Sequence, residues 1–145
     1  MSKDRLLIIG GDAAGMSAAA KVRREQTQRE ILAFEKTAHT SYSACGIPYL
    51  LGGLVDDPEK LVARTPETFR NQYDIDVRTC HEVSRIDPAN QRIEVYDING
   101  KKSIEEPYDQ LLIATGASPY CPDVAGNNAE GVFGLSTLSS GLRVH

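Results

Sequence analysis

The chain begins with a short apolar run, Arg5 to Ile9 (RLLII), that stops at Gly10-Gly11. From Ala13 to Arg24 alanine-rich sequence recurs at helical spacing, so strand, glycine turn and helix are predicted in that order. After the charged stretch Arg23 to Glu30, a second apolar run, Ile31 to Phe34, ends at Glu35. Strand, helix and strand in succession make a βαβ unit, which pairs its strands in parallel. Asp57-Pro58-Glu59 and Thr65-Pro66-Glu67 each place proline where a helix can start, with Thr65 as N-cap. Two short helices are therefore predicted between 58 and 73. Ile75 to Glu106 alternates in polarity and is broken by Asp87-Pro88-Ala89-Asn90 and Asn99-Gly100, the pattern of a small antiparallel meander. Tyr108 to Ala114 (YDQLLIA) is again a buried-strand pattern and runs into the small-residue loop Thr115 to Pro119. Beyond it no strong periodicity remains, and no internal repeat is visible. The fold class is α/β, a parallel sheet plus a small antiparallel β-meander.

Composition narrows the function classes without choosing one. A chain of 145 residues with 41% apolar and 25% charged residues fits one soluble globular domain. A net charge of -4 offers no field for a nucleic-acid backbone, so no nucleic-acid partner is expected. Lys3 and Arg5 precede an apolar stretch, Leu6 to Ile9, that is too short for a signal-peptide core or a membrane span. No membrane association and a cytoplasmic location are expected. Cysteines at 45, 80 and 121 are odd in number and widely spaced, which suits neither a disulfide framework nor a zinc site. Cys80 and Cys121 read as structural or incidental, His39 and His81 as loop or surface residues, and no metal site is expected.

Gly10-Gly11-Asp12-Ala13-Ala14-Gly15 carries glycine at the first and third places of the dinucleotide fingerprint, with Asp12 at the second. Gly10 allows the tight turn and Gly15 close helix–strand packing, while Ala13 and Ala14 leave the helix N-terminal amides open to a pyrophosphate. Gly11 is expected to supply the flexibility missing at position 12. Asp12 would repel a phosphate, so its side chain is expected to point away and cap the helix, and Asp12→Gly to preserve cofactor binding. Glu35, twenty residues after Gly15 at the end of the second strand, is placed to accept hydrogen bonds from ribose hydroxyls. This Rossmann-like pattern does not by itself distinguish FAD from NAD.

Cys45 lies in Ser41-Tyr42-Ser43-Ala44-Cys45-Gly46-Ile47-Pro48-Tyr49, where a helix can begin. A thiol at a helix N-terminus is biased toward thiolate, the form that attacks a disulfide. The bland alternative is a small buried side chain, the commoner fate of a free cysteine.

GGDAAG, FEK, SYSACGIPY and YDQLLIATGASP together resemble the N-terminal half of the pyridine nucleotide-disulfide oxidoreductase superfamily, in particular its coenzyme A-disulfide reductase and NADH oxidase group. The resemblance implies FAD, with its pyrophosphate at Gly10, Gly11, Ala13, Ala14 and Gly15. It puts the adenosine ribose at Glu35 and Lys36, Val83 near the adenine, and Ala114, Thr115 and Gly116 close to the cofactor. It makes Cys45 the catalytic redox centre and Ser17, Lys21, Arg24 and Ser41 the binders of coenzyme A. Relatives with a cysteine pair carry the second cysteine five residues after the first, and here that position is Leu50. An internal dithiol is thereby excluded. A lone centre stores its oxidised state as a mixed disulfide with a small thiol or as a sulfenic acid, so disulfide reduction and NADH oxidase or peroxidase activity both stay open. On this reading residues 1–116 form the N-terminal part of an FAD-binding domain. Residues 117–145 connect it toward an NAD(P)-binding domain, His145 is a truncation point, and the full-length enzyme is a homodimer reduced by NAD(P)H. The piece alone is expected to be inactive. A different class of function, a non-catalytic dinucleotide-binding module, also fits the fingerprint.

Overall fold

Leu6, Leu7 and Ile8 point alternately to opposite faces of a strand, yet all three are buried. A continuous apolar run of this kind requires cover on both faces of the sheet. The computed structural model describes residues 4–144, leaving Lys3 and His145 outside the described residues. In it β1 (Arg5–Ile9), β2 (Glu30–Glu35), β3 (Asp76–Thr79) and β7 (Gln110–Ile113) form one parallel sheet in the order β3-β2-β1-β7. A separate antiparallel sheet holds β4 (His81–Asp87), β5 (Arg92–Asp97) and β6 (Lys102–Pro107).

Helix α1 (Ala13–Glu25) covers one face of the parallel sheet, where Met16 and Ala19 pack on Leu6, Ile8, Ile31 and Ala33. Helix α3 (Pro66–Tyr73) extends that layer through Phe69. On the other face Leu7, Leu32 and Phe34 meet Ile93 and Val95 of the meander. Glu106 ties the two sheets together, one carboxylate oxygen on Arg5 and the other on Arg78, each at 2.8 Å. A third cluster joins Ile47 and Leu50 of α2 (Ile47–Leu51) to Leu61 and to Leu138 of α4 (Leu138–Leu142). Among the described residues no helix is long and apolar enough to cross a membrane.

The βαβ unit, the two turns of the meander and the strand after Tyr108 lie where the pattern puts them. Thr65 caps α3 by accepting from the Thr68 N–H at 3.2 Å, and a 3₁₀ helix at Pro58–Leu61 precedes it. One expectation needs correction. The stretch Ile75 to Glu106 is not all meander, because Asp76–Thr79 pairs in parallel with β2 as an edge of the main sheet. Cys80, at φ 57°, turns the chain between the two sheets, a left-handed conformation that ends the extended run. The final stretch, which has no strong periodicity, holds one short helix, α4. Thr137 and Ser140 form a reciprocal capping box at the start of α4.

Candidate functional site

β1 is flanked on one side by β2, which the chain reaches through α1, and on the other by β7, which the chain enters from the meander, so the strand order reverses at β1. In an open parallel sheet that is where a crevice forms. Here the chain passes through Gly10 at φ 109°, and a side chain there would place Cβ 2.1 Å from the Ala114 carbonyl oxygen. Cβ atoms at Gly11 and Gly15 would lie 2.7 Å from Glu35 Cβ and 2.0 Å from the Gly10 carbonyl oxygen. Three backbones therefore approach so closely that all three glycines are demanded by space. Position 12 is different, since Asp12 has φ -111°, which any residue adopts, and the missing second glycine costs no backbone strain.

Asp12 occupies the N-cap of α1 but makes no side-chain capping bond, contrary to the capping expected of it. Its Oδ1 is buried without a hydrogen-bond partner among the described residues. Burial raises its pKa, the Tyr42 and Ala13 backbone N–H groups oppose the rise, and the Glu35 charge adds to it. Tyr42 is likewise pushed up, first by its own burial and then by the Asp12 charge.

Glu35 is held rigidly. Its Oε2 accepts the Gly11 N–H at 2.9 Å and its Oε1 the Thr37 N–H at 2.8 Å, leaving one lone pair on each oxygen for an outside donor. Beside it opens a cavity of about 590 Å³ lined by Gly10, Glu35, Lys36, Val83, Ala114, Thr115 and Gly116. Seven of the positions singled out in the sequence thus share one cavity. Gly11 and Gly15 are buried behind it, Ala14 is exposed and lines neither cavity, and Ala13 faces the second. His81 also lines the first cavity, its Nδ1–H donating to the Thr79 carbonyl at 2.8 Å. Sequence reasoning left it in a loop because nothing local marks which face a first strand residue takes.

The second cavity, about 470 Å³, runs along α1, whose Ala13, Ser17, Ala20 and Arg24 present one helical face to it. Ser41, Arg64 and Tyr73 line the opposite side. Lys21 is not in the lining; it is exposed and pairs with Glu25 at 2.5 Å. Asp12 and Tyr42 line both cavities and so form the partition between them.

Residues 40–43 are laced to both sides. The Thr40 hydroxyl and the Ser41 N–H donate to the Gly11 carbonyl, the Ser41 carbonyl accepts from Ala63 N–H at 2.8 Å, and Ser43 N–H donates to Leu61. Ser41 sits at φ 48° in this arrangement. The 3₁₀ turn Ala44–Gly46 follows, with Cys45 exposed on it immediately before α2. The buried-cysteine alternative does not hold for Cys45. At Gly46 a Cβ would come within 2.4 Å of Leu61 Cδ2, so a side chain there would displace Leu61 from its packing. Leu50 is fully buried in the third cluster, so the position of a second thiol in paired relatives is used here for packing. Cys80 is half-buried and Cys121 exposed, and among the described residues no group of His, Cys, Asp or Glu could hold a metal ion.

Residues 4–145 match the family described as pyridine nucleotide-disulphide oxidoreductase. An NAD(P)H coenzyme A polysulfide/persulfide reductase of Pyrococcus horikoshii is 41% identical over 131 residues, 90% of this chain and 28% of that protein. An NADH oxidase of Methanocaldococcus jannaschii is 34% identical over 97% of this chain and 31% of its own length. The crystal structure of reduced Bacillus anthracis CoADR-RHD superposes with a TM-score of 0.93 at 29% identity, covering 99% of this chain and 26% of that one. The chain thus spans about a quarter to a third of the proteins it matches.

Proposed function

Because the chain belongs to the pyridine nucleotide-disulphide oxidoreductase family, whose enzymes work with FAD and NAD(P)H, we propose that it is the FAD-binding part of a reductase that cleaves a sulfur–sulfur bond through Cys45. One observation carries the reading. The Gly11 residue gives its N–H to Glu35 and its carbonyl to Thr40 and Ser41, so the dinucleotide turn and the cysteine segment share a single anchor.

The residues present fit FAD. Gly10, Gly11 and Gly15 leave no space for side chains, and the first-turn amides of α1 at Ala13, Ala14 and Gly15 have no intrahelical acceptor for a pyrophosphate to displace. Glu35, already oriented by two backbone donors, accepts from ribose hydroxyls, with Lys36 and Val83 alongside and Ala114, Thr115 and Gly116 on the opposite wall. Bound there, FAD supplies two-electron exchange between a nicotinamide and sulfur. Ser17, Arg24 and Ser41, which line the second cavity, are assigned to the thiol substrate, and Lys21, paired with Glu25 outside that lining, is not.

The chemistry at Cys45 is thiol–disulfide exchange. Its thiolate attacks one sulfur of RS–SR, the S–S bond breaks, RS⁻ leaves, and Cys45 carries the mixed disulfide. Two electrons then cleave that bond, giving a second RS⁻ and restoring the thiolate. The P. horikoshii relative named for a coenzyme A polysulfide or persulfide supports a substrate of the coenzyme A disulfide type. The relative named NADH oxidase supports the sulfenic-acid route at the same residue as the second reading. The complete enzyme on this proposal is a cytoplasmic homodimer, with 117–145 leading to a nicotinamide-binding domain. Exposed Tyr120, Val124, Val132 and Phe133 give that segment an apolar surface for a further domain to cover.

The test uses this chain's own thiols. Incubated with coenzyme A disulfide and mapped by mass spectrometry, the Cys45 peptide is expected to carry the adduct, and Cys45→Ser to carry none. Labelling that falls on exposed Cys121 instead would overturn the assignment. A sulfenic acid formed at Cys45 with peroxide, without a coenzyme A adduct, selects the oxidase or peroxidase route. Flavin binding with neither modification leaves a binding module.

A further inference from the structure

The wall between the two cavities carries a carboxyl group that its surroundings leave unsatisfied. Asp12 stands where the dinucleotide fingerprint has its second glycine, the position at which the backbone comes up to a pyrophosphate. Its side chain lines both cavities and makes no capping bond to α1, and its Oδ1 is buried with no hydrogen-bond partner among the described residues. Charges of both signs surround it. Glu35, Glu82, Lys36 and His81 line the first cavity with it, Arg24, Arg64 and Tyr73 the second, and Tyr42 both. None of these cations reaches Oδ1. Burial favours the neutral acid most strongly, the Tyr42 and Ala13 N–H groups favour the anion, and the Glu35 carboxylate again favours the acid. The open amides at the start of α1 also favour the anion. The carboxyl group is thus held between its two forms by opposing neighbours, and one more negative charge beside it moves it toward the acid.

We propose that Asp12 takes up a proton as FAD binds, so that this site holds its cofactor more tightly as the medium turns acidic. The proposal rests on the reading of the first cavity as the FAD site. A diphosphate laid on the first turn of α1 engages the amides that had favoured the carboxylate and brings negative charge to the end of the helix where Asp12 sits. Ionised Asp12 and the phosphate then repel each other across a partly buried wall, where salt screens poorly. One proton from solvent removes the repulsion and turns the carboxyl group into an O–H donor for a phosphate oxygen. No electron moves, and the balance is carboxylate plus proton plus FAD giving the acid in the complex. Linkage fixes the sign: uptake occurs between the carboxyl group's value in the free chain and its higher value in the complex, and binding is tightest below that window. A glycine at this position, as in the fingerprint, has no proton to take up.

The experiment titrates the chain with FAD between about pH 4 and pH 8, and calorimetry in two buffers of different ionisation enthalpy counts the protons. Within the window, wild type is expected to take up as much as one proton more than Asp12→Asn or Asp12→Gly, its Kd rising by up to about tenfold per pH unit. Asp12→Asn is expected to bind about tenfold more tightly than wild type above the window and to match it below. Asp12→Gly, at a φ of -111° that glycine also adopts, separates the loss of the carboxyl group from an effect of side-chain bulk. Comparison with these variants also cancels titration of FAD itself. His81→Gln, which changes the group in that cavity that ordinarily titrates nearest neutrality, is expected to keep the uptake. FAD binding in which wild type and both Asp12 variants take up the same protons refutes the role of Asp12 while the FAD site stands, and so does an uptake that vanishes in His81→Gln. If neither wild type nor the Asp12 variants bind FAD, both readings fall.

Discussion

Gly15→Ala sets helix propensity against packing, and the structure decides which wins. In an exposed helix alanine is favoured over glycine by roughly 1 kcal/mol, so propensity alone predicts a more stable chain. At position 15, however, the new Cβ would sit 2.0 Å from the Gly10 carbonyl oxygen and 3.0 Å from Ile8 Cγ2. The first obstacle is backbone, so no rotamer change relieves it. Helix α1 must move away from β1 by more than an ångström, opening the contact of Met16 and Ala19 with Leu6 and Ile8. Overpacking of this kind costs typically about 1–3 kcal/mol, and a backbone obstacle puts it at the upper end, so about 3 kcal/mol less the propensity gain of about 1 predicts a net loss of about 2 kcal/mol. For a chain of this size that is a drop of roughly 4–10 °C in Tm. Urea denaturation of wild type, Gly15→Ala and Ala14→Gly, an exposed first-turn control, measures it. The control is expected to lose about 1 kcal/mol or less. FAD titration of the same proteins should show Gly15→Ala weakened, because the amides that would face the pyrophosphate move with the helix. A Gly15→Ala chain as stable as wild type, or more so, would refute the argument that the close approach is rigid.

Two further changes probe the two ends of the site. Leu50→Ala removes a fully buried side chain from the cluster of Ile47, Leu61 and Leu138 and is expected to cost 2–5 kcal/mol. Because that cluster seats the turn bearing Cys45, thiol-reagent kinetics at Cys45 should change along with the denaturation midpoint; an unchanged midpoint would contradict the packing role of Leu50. Asp12 tests electrostatics through pH. Burial first, and the Glu35 charge more weakly, raise its folded-state value above the ordinary 3.8, so its contribution to stability is full below that value and is lost as pH rises through the folded one. Asp12→Asn is therefore expected to stabilise the chain at neutral pH and to bring no such gain near pH 3, as read from urea midpoints. The same variant should bind FAD at least as well at neutral pH, since it removes a negative charge beside the phosphate site. A gain that is equal at both pH values would sink this account.

Much of the fold was legible because its signals are local. Glycine at 10 and 15, the apolar runs at 5–9 and 31–34, the Thr65-Pro66 cap and the two turns of the meander each act within a few residues. Asp76–Thr79 was misread because four alternating residues suit either kind of sheet, and the partner that settles the matter, β2, lies more than forty positions earlier. Helix α4 escaped notice because LSSGL is too short to show a helical period; it forms where Leu138 finds Ile47 and Leu50. Asp12 shows the limit of local logic, since its N-cap position was right and the capping bond is absent.

The amino-acid sequence by itself determined the βαβ unit, the glycine turn, the acid that follows it and the single cysteine with leucine where a partner thiol would stand. Those features depend on backbone sterics and short-range periodicity, which are written in adjacent residues. Only the tertiary structure decided which side chains share a space. It put His81 and Thr137 beside Glu35, made Asp12 and Tyr42 the wall between two cavities, and set Arg64 across from Arg24 while leaving Lys21 outside. Such neighbours are brought together by strand order and layer packing, over separations that no local pattern encodes.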